Sequence, residues 1–148
     1  MSVLHAVSGI FKAIKTEENL RFHIVIANLI FIFAYFYGLD RAEWAILIIT
    51  AFLMISLELV NTAVERTVDT ATSEILPTAK FAKDASAGAV LVMAIASLMV
   101  GVCLFGNPAR IGDALAQVFF SARNLIVCLI IGILDILFLF FCREKANY

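Results

Sequence analysis

Glu58, Asn61 and Glu65 stand at i, i+3 and i+7, so on an α-helix their side chains share one face. Thr62 and Asp69 continue the same stripe. The residues before it, from about Ala45, are almost wholly apolar. Ionisable groups in or just under a bilayer are costly and mark functional positions by default. Here they lie at the end of the apolar run, where water and soluble ligands can reach them. Two further polar segments match this one: Glu17-Glu18-Asn19-Leu20-Arg21 before an apolar run, and Lys83-Asp84 before another. Carboxylates from different helices suit a hard divalent cation such as Mg²⁺, which takes few protein oxygens and keeps phosphate oxygens as ligands. A lysine neutralises phosphate as a point charge. Glu58, deeper on the stripe, is placed to accept a proton from a hydroxyl at the lipid interface. Metal, cation and base are the parts of a phosphoryl-transfer site. No GxxxxGK[ST] loop and no protein-kinase signature is present, which excludes a soluble-type nucleotide fold.

The elements that must position these groups follow from the composition. The chain has 148 residues, 63% of them hydrophobic, with a mean hydropathy of +1.00. A soluble domain is nearer half apolar, so this is an all-α integral membrane protein. Its net charge of -1 gives no basic surface for nucleic acid. Residues 1–21 have no long apolar core or small-residue cleavage site, so the chain is expected to be used whole. The three cysteines, Cys103, Cys128 and Cys142, lie in or beside apolar runs without a CxxC pair and read as buried, idle thiols.

Residues 4–18 form an amphipathic surface helix, with Leu4, Val7, Phe11 and Ile14 at 3 and 4 spacing. Spans follow at about 22–39, 45–64 and 85–105, each near the roughly 20 residues that cross hydrocarbon. Asp40-Arg41-Ala42-Glu43 is a short polar turn and Trp44 an interfacial anchor. Residues 66–84 read as a polar connection broken at Pro77. Gly106-Asn107-Pro108 ends the third span. Residues 109–123 form a second interfacial helix, and a fourth span runs over about 124–142. With the N-terminus in the cytoplasm, Lys12, Lys15, Arg21, Arg66, Lys80, Lys83, Arg143 and Lys145 lie inside, and Arg41, Arg110 and Arg123 outside. The positive-inside rule selects that orientation. It puts both termini and the acidic layer on the cytoplasmic side of the cell membrane, where ATP is. Ala85-Ser86-Ala87-Gly88-Ala89 lets helix backbones approach there.

Blander roles compete. Glu58 or Asn61 alone could hydrogen-bond a neighbouring helix. Lys83-Asp84 could be an interfacial charge pair, and Glu17 and Glu18 solvated residues. Arg66, Glu74 and Lys80 read as a solvated loop face. Asp135 lies inside the fourth span, either buried against the bundle or marking a span that is not simply lipid-facing; it is assigned no chemistry. Four spans with internal acids also fit a small multi-span transporter, but transporter sites lie near the midplane, and these acids cluster at one edge with a lysine. A non-catalytic assembly subunit is the other rival.

Three pieces, in order, resemble the prokaryotic diacylglycerol kinase and undecaprenol kinase family over about residues 5–105. They are Glu17-Glu18-Asn19-Leu20-Arg21-Phe22-His23, Glu58-Leu59-Val60-Asn61-Thr62-Ala63-Val64-Glu65 and Ala82-Lys83-Asp84-Ala85-Ser86-Ala87-Gly88-Ala89-Val90. The resemblance implies a lipid kinase core over 1–105, built from the surface helix and three spans. A C-terminal extension with the fourth span would then occupy 106–148. It implies a homotrimer with active sites shared between subunits. It implies that Glu17 and Glu65 hold Mg²⁺ with the ATP phosphates, that Lys83 meets phosphate and Asp84 the nucleotide, and that Glu74 lies near the nucleotide. Glu58 matches the proton acceptor for the lipid hydroxyl, with Asn61 beside it, and Asn19 and Arg21 fall where the family touches lipid. Two departures are Leu76, where relatives commonly carry a histidine, and the extension itself. Arg21-Phe22-His23 and the stretch from Lys83 to Leu91 look more like the branch associated with undecaprenol than with diacylglycerol. The expected reaction is phosphate transfer from Mg-ATP to a membrane lipid alcohol, undecaprenol before diacylglycerol.

Overall fold

A computed structural model of the protein describes residues 2–71 and 76–141. Six helices run in the order α1 (Ser2–Thr16), α2 (Glu18–Tyr37), α3 (Arg41–Ala71), α4 (Pro77–Leu104), α5 (Pro108–Phe119) and α6 (Ala122–Phe141), and the described residues contain no strand. Four of them, α2, α3, α4 and α6, are long and apolar enough to cross a membrane. Their side chains face outward far more than a soluble bundle would allow, because lipid is their solvent. The apolar face of α1 (Val3, Leu4, Phe11) is likewise uncovered, as in a helix lying in the interface plane.

Local chemistry sets the breaks. Glu17 is extended (φ -103, ψ 117), which separates α1 from α2. Gly38 ends α2 in the left-handed region (φ 73), donating its N–H to the Ala34 carbonyl. Asp40 then starts α3: its Oδ1 accepts from the Ala42 and Glu43 N–H groups, each at 2.8 Å, and Glu43 Oε2 accepts from the Asp40 N–H. That reciprocal capping box makes the polar turn a helix start. Pro77 opens α4 at its first turn, and Asn107 caps α5 ahead of Pro108.

The connection expected over 66–84 is mostly helix. The 31 residues of α3 extend about 46 Å at 1.5 Å per residue, against roughly 30 Å of hydrocarbon. Its last turns therefore project past the membrane. Thr67 and Thr70 bond back to the carbonyls four residues earlier, so polar residues here stay helical. Arg66 and Lys80 consequently sit on α3 and α4 rather than in a loop, while Glu74 falls outside the described residues. Cys103 is exposed on α4 and Cys128 half-buried on α6, correcting the expectation of buried thiols; Cys142 is outside the described residues.

The two ends of the bundle cohere differently. Far from α1, Ala34, Tyr37, Leu39, Leu47, Leu104 and Ala114 form the buried core. The Phe105 ring is packed edge-on against Phe33 and Tyr37, with centroids at 5.2 and 5.1 Å. At the α1 end polar groups meet instead. Between these ends α3 packs along α4, whereas α2 packs on α3, α5 and α6 and makes no backbone approach to α4.

Candidate active site

Four helix segments converge at the α1 end. Glu58 of α3 is only 3% exposed. Asn19 lies beside its carboxylate, and His23, Glu65 and Glu17 are near enough to act on it electrostatically. One turn further along α3, Asn61 is also buried. Its Nδ2 donates to Glu65 Oε1 at 3.1 Å. Ser86 Oγ on α4 stands 2.7 Å from Asn61 Oδ1 and 2.9 Å from the Lys83 carbonyl. Its single proton serves one of these at a time. The chain Ser86–Asn61–Glu65 thus orients a carboxylate at the membrane edge from two helices at once.

Two ion pairs flank that chain. Arg66 Nη2 donates to Glu17 Oε1 at 2.6 Å and to Thr16 Oγ1 at 2.7 Å, tying the α1–α2 junction to α3. Lys83 Nζ donates to Asp69 Oδ1 and Oδ2 at 2.8 and 3.1 Å. That second pair is well exposed, and exposed pairs contribute only about 0–1 kcal/mol. Lys83 is therefore only weakly held by Asp69. Glu18 and Asp84 are exposed on the first turns of α2 and on α4. Leu76 precedes Pro77 without a side-chain cap.

Arg21 behaves differently from a ligand-facing residue. It is 2% exposed, and its Nη1 donates to the Ile14 and Lys15 carbonyls at 2.9 and 3.2 Å. These are terminal carbonyls of α1 without intrahelical partners, where a cation is favoured.

No group of three His, Cys, Asp or Glu side chains that could hold a metal exists among the described residues. Glu17 and Glu65 offer two carboxylates from different elements, which fits Mg²⁺ completed by phosphate and water oxygens and does not fit a closed protein cage.

An apolar groove of about 840 Å³ runs between α2, α3 and α4. It begins at His23 and Met54, near Glu58, and extends toward Phe33, Leu47 and Phe105. Met54 lies one turn from Glu58 on the same face of α3.

The structure gives partners to residues that spacing left unassigned. Asp69 already stood on the helical stripe, four residues after Glu65, without a partner assigned; Ser86, three after Lys83, could have been found by the same spacing. The Arg66–Glu17 pair joins distant segments and carries no local signal. Asp135 is held by Asn28 of α2, whose Nδ2 lies 3.0 Å from each carboxylate oxygen.

The family described as prokaryotic diacylglycerol kinase matches residues 4–105. The undecaprenol kinase of Bacillus subtilis is 43% identical over 104 residues, covering 70% of this chain and 85% of that protein. The diacylglycerol kinase of Synechocystis sp. is 38% identical over 109 residues, covering 73% and 62%. That of Helicobacter pylori (strain J99) is 31% identical over 91 residues, covering 62% and 71%. No solved structure matches. A match spanning α1 to α4, on helices that cross a membrane and gather carboxylates, an amide and a lysine at one edge, has one meaning: this chain belongs to the prokaryotic diacylglycerol kinase family and is a membrane lipid kinase.

Proposed function

We propose that the protein transfers the γ-phosphate of ATP to the hydroxyl of undecaprenol, giving undecaprenyl phosphate. The groove leading to buried Glu58 carries the proposal: it would hold an apolar chain at membrane depth and bring its hydroxyl to a carboxylate. The likeness to a relative named undecaprenol kinase selects the polyprenol. Diacylglycerol is the alternative, since two other relatives cited above are named for it.

Glu58 accepts the hydroxyl proton, and Asn19 and Asn61 hold the surrounding polar layer. Glu17 and Glu65 hold Mg²⁺, which when bound neutralises charge developing on the transferred phosphoryl group. Lys83 exchanges Asp69 for phosphate, Asp84 meets the nucleotide, and Glu74 completes the nucleotide side. Arg21 serves lipid binding by holding α1 over the site. The kinase core occupies 1–105 and 106–148 is an extension. The site and both termini face the cytoplasm, a reading supported by the distribution of basic residues. The functional unit is a homotrimer with shared sites, consistent with the largely uncovered apolar surface of α4.

The test is phosphate transfer from Mg-ATP in mixed micelles, with undecaprenol and diacylglycerol side by side and Glu65→Gln as control. Undecaprenyl phosphate formed faster, and lost in the variant with folding kept, is the expected result. Faster phosphatidic acid formation would move the assignment to diacylglycerol. No product from either lipid in folded protein would refute it.

A further inference from the structure

The extension docks at defined places. Among the described residues α6 packs on α2 and α5 and on neither α3 nor α4. Near the middle of both spans Asn28 donates to Asp135. At the end far from α1, Arg110 Nη2 donates to the Gly38 carbonyl at 2.7 Å, with its guanidinium 4.2 Å from the centre of the Tyr37 ring. Gln117 reaches the Phe36 carbonyl at 3.4 Å. These contacts fall on α2 or the turn that ends it; Arg110 Nη2 also lies 3.6 Å from Glu43 Oε2 in the first turn of α3.

Of the three spans of the core, α2 is the one packed least against the other two. It lines one side of the groove through Phe22, Ile26, Leu29 and Phe33, with α4 across the gap. At about 100° per residue, Asn28 points roughly a third of a turn away from that line. The α6 contact therefore backs the helix while the groove occupies its front. α3 and α4 hold one another directly and carry Asn61, Glu65, Asp69, Lys83 and Ser86. α2 carries Asn19, which lies beside the Glu58 carboxylate, and His23, which acts on it electrostatically and lines the groove. Glu17, at the start of α2, is tied separately to α3 through Arg66.

We propose that α6 is a brace that sets the position of α2, with Asp135 and Asn28 as positioning residues for the lipid hydroxyl and not for the nucleotide. A carboxylate in the hydrocarbon region is expensive to keep; here it has an amide partner whose hydrogen bond spans two helices. The proposal rests on Glu58 being the proton acceptor for the lipid.

The test uses the full-length protein in mixed micelles and steady-state kinetics toward undecaprenol and ATP. Asp135→Leu is expected to lower kcat/KM for the lipid about 3- to 20-fold, the equivalent of a membrane hydrogen bond of about 0.6–1.7 kcal/mol, with KM for ATP unchanged. Asp135→Asn keeps a pairing partner and is expected to stay near wild type. Asn28→Asp, which sets two carboxylates together, is expected to be impaired and to be rescued by adding Asp135→Asn. Spin labels at exposed Tyr35 and Ile126, with the native cysteines replaced, are expected to show a broadened α2–α6 distance in Asp135→Leu alone. Wild-type lipid kinetics in Asp135→Leu, or parallel losses toward lipid and ATP, would overturn the proposal. If Asp135→Leu fails to insert, the rescue decides, and its absence is equally fatal. Failure of the underlying reading is separately visible: a wrong Glu58 assignment leaves Glu58→Gln turning over, and a wrong lipid-kinase reading silences the wild type as well.

Discussion

Replacing Arg21 by leucine should release α1 from the bundle. Its guanidinium is buried and donates from one nitrogen to two terminal α1 carbonyls, Ile14 at 2.9 Å and Lys15 at 3.2 Å. A hydrogen bond to a charged group contributes about 1.5–3 kcal/mol. Both bonds leave the same nitrogen, and α1 lies where water can replace them, so the pair is better treated as one strong bond of about 2 kcal/mol. Of the α1 residues only Ala13 is buried, and a second tie at this end is the Arg66 hydrogen bond to Thr16, on its last residue. A loss of about 2 kcal/mol corresponds to roughly 30-fold more frequent opening. Amide exchange over residues 10–17 should accelerate by about that factor in micelles, while residues 55–65 of α3 keep their protection. Arg21→Lys, with the charge retained but the planar fork lost, should fall between. Wild-type exchange over residues 10–17 in a folded Arg21→Leu protein would refute the argument, and would mean that α1 is held by Arg66 and the membrane interface without Arg21.

Glu58→Gln keeps the size and one acceptor oxygen of the buried side chain but cannot take a proton. Lipid phosphorylation should fall about 10²–10⁴-fold, in the range of a lost general base, while nucleotide binding by the same protein, measured at equilibrium, stays intact. Retained turnover would remove Glu58 from the chemistry. Ser97→Phe puts a ring into the groove that Ser97 lines. It should raise KM for the lipid severalfold and leave KM for ATP alone, and an unchanged lipid KM would show that the groove is not where the chain lies.

The acidic stripe was legible in the sequence because helical spacing is rigid: Glu58, Asn61 and Glu65 share a face wherever α3 is placed. Membrane character was legible because a run of apolar residues long enough to cross hydrocarbon has few other uses. The family was legible in three local motifs. Boundaries at the polar ends were not, because polarity marks where the bilayer stops and not where a helix stops. Thus α3 runs on to Ala71, and the residues after Asp40 are a capped helix start.

Pairing between distant segments emerges only when the helices are assembled. Arg66 looked like a solvated loop residue and instead binds Glu17, forty-nine residues away in the chain. Arg21 looked like a lipid contact and is buried under α1. Asp135 had no assignable role until Asn28, 107 residues earlier, came to face it. Periodicity specifies which side chains share a face of one helix. It says nothing of the rotation and depth at which two helices meet, and those depend on packing along their whole lengths. The order of residues suffices for a membrane-spanning chain with an acidic stripe at one edge. Its partners across helices, the groove that leads to Glu58 and the docking of α6 on α2 exist only once those helices are assembled.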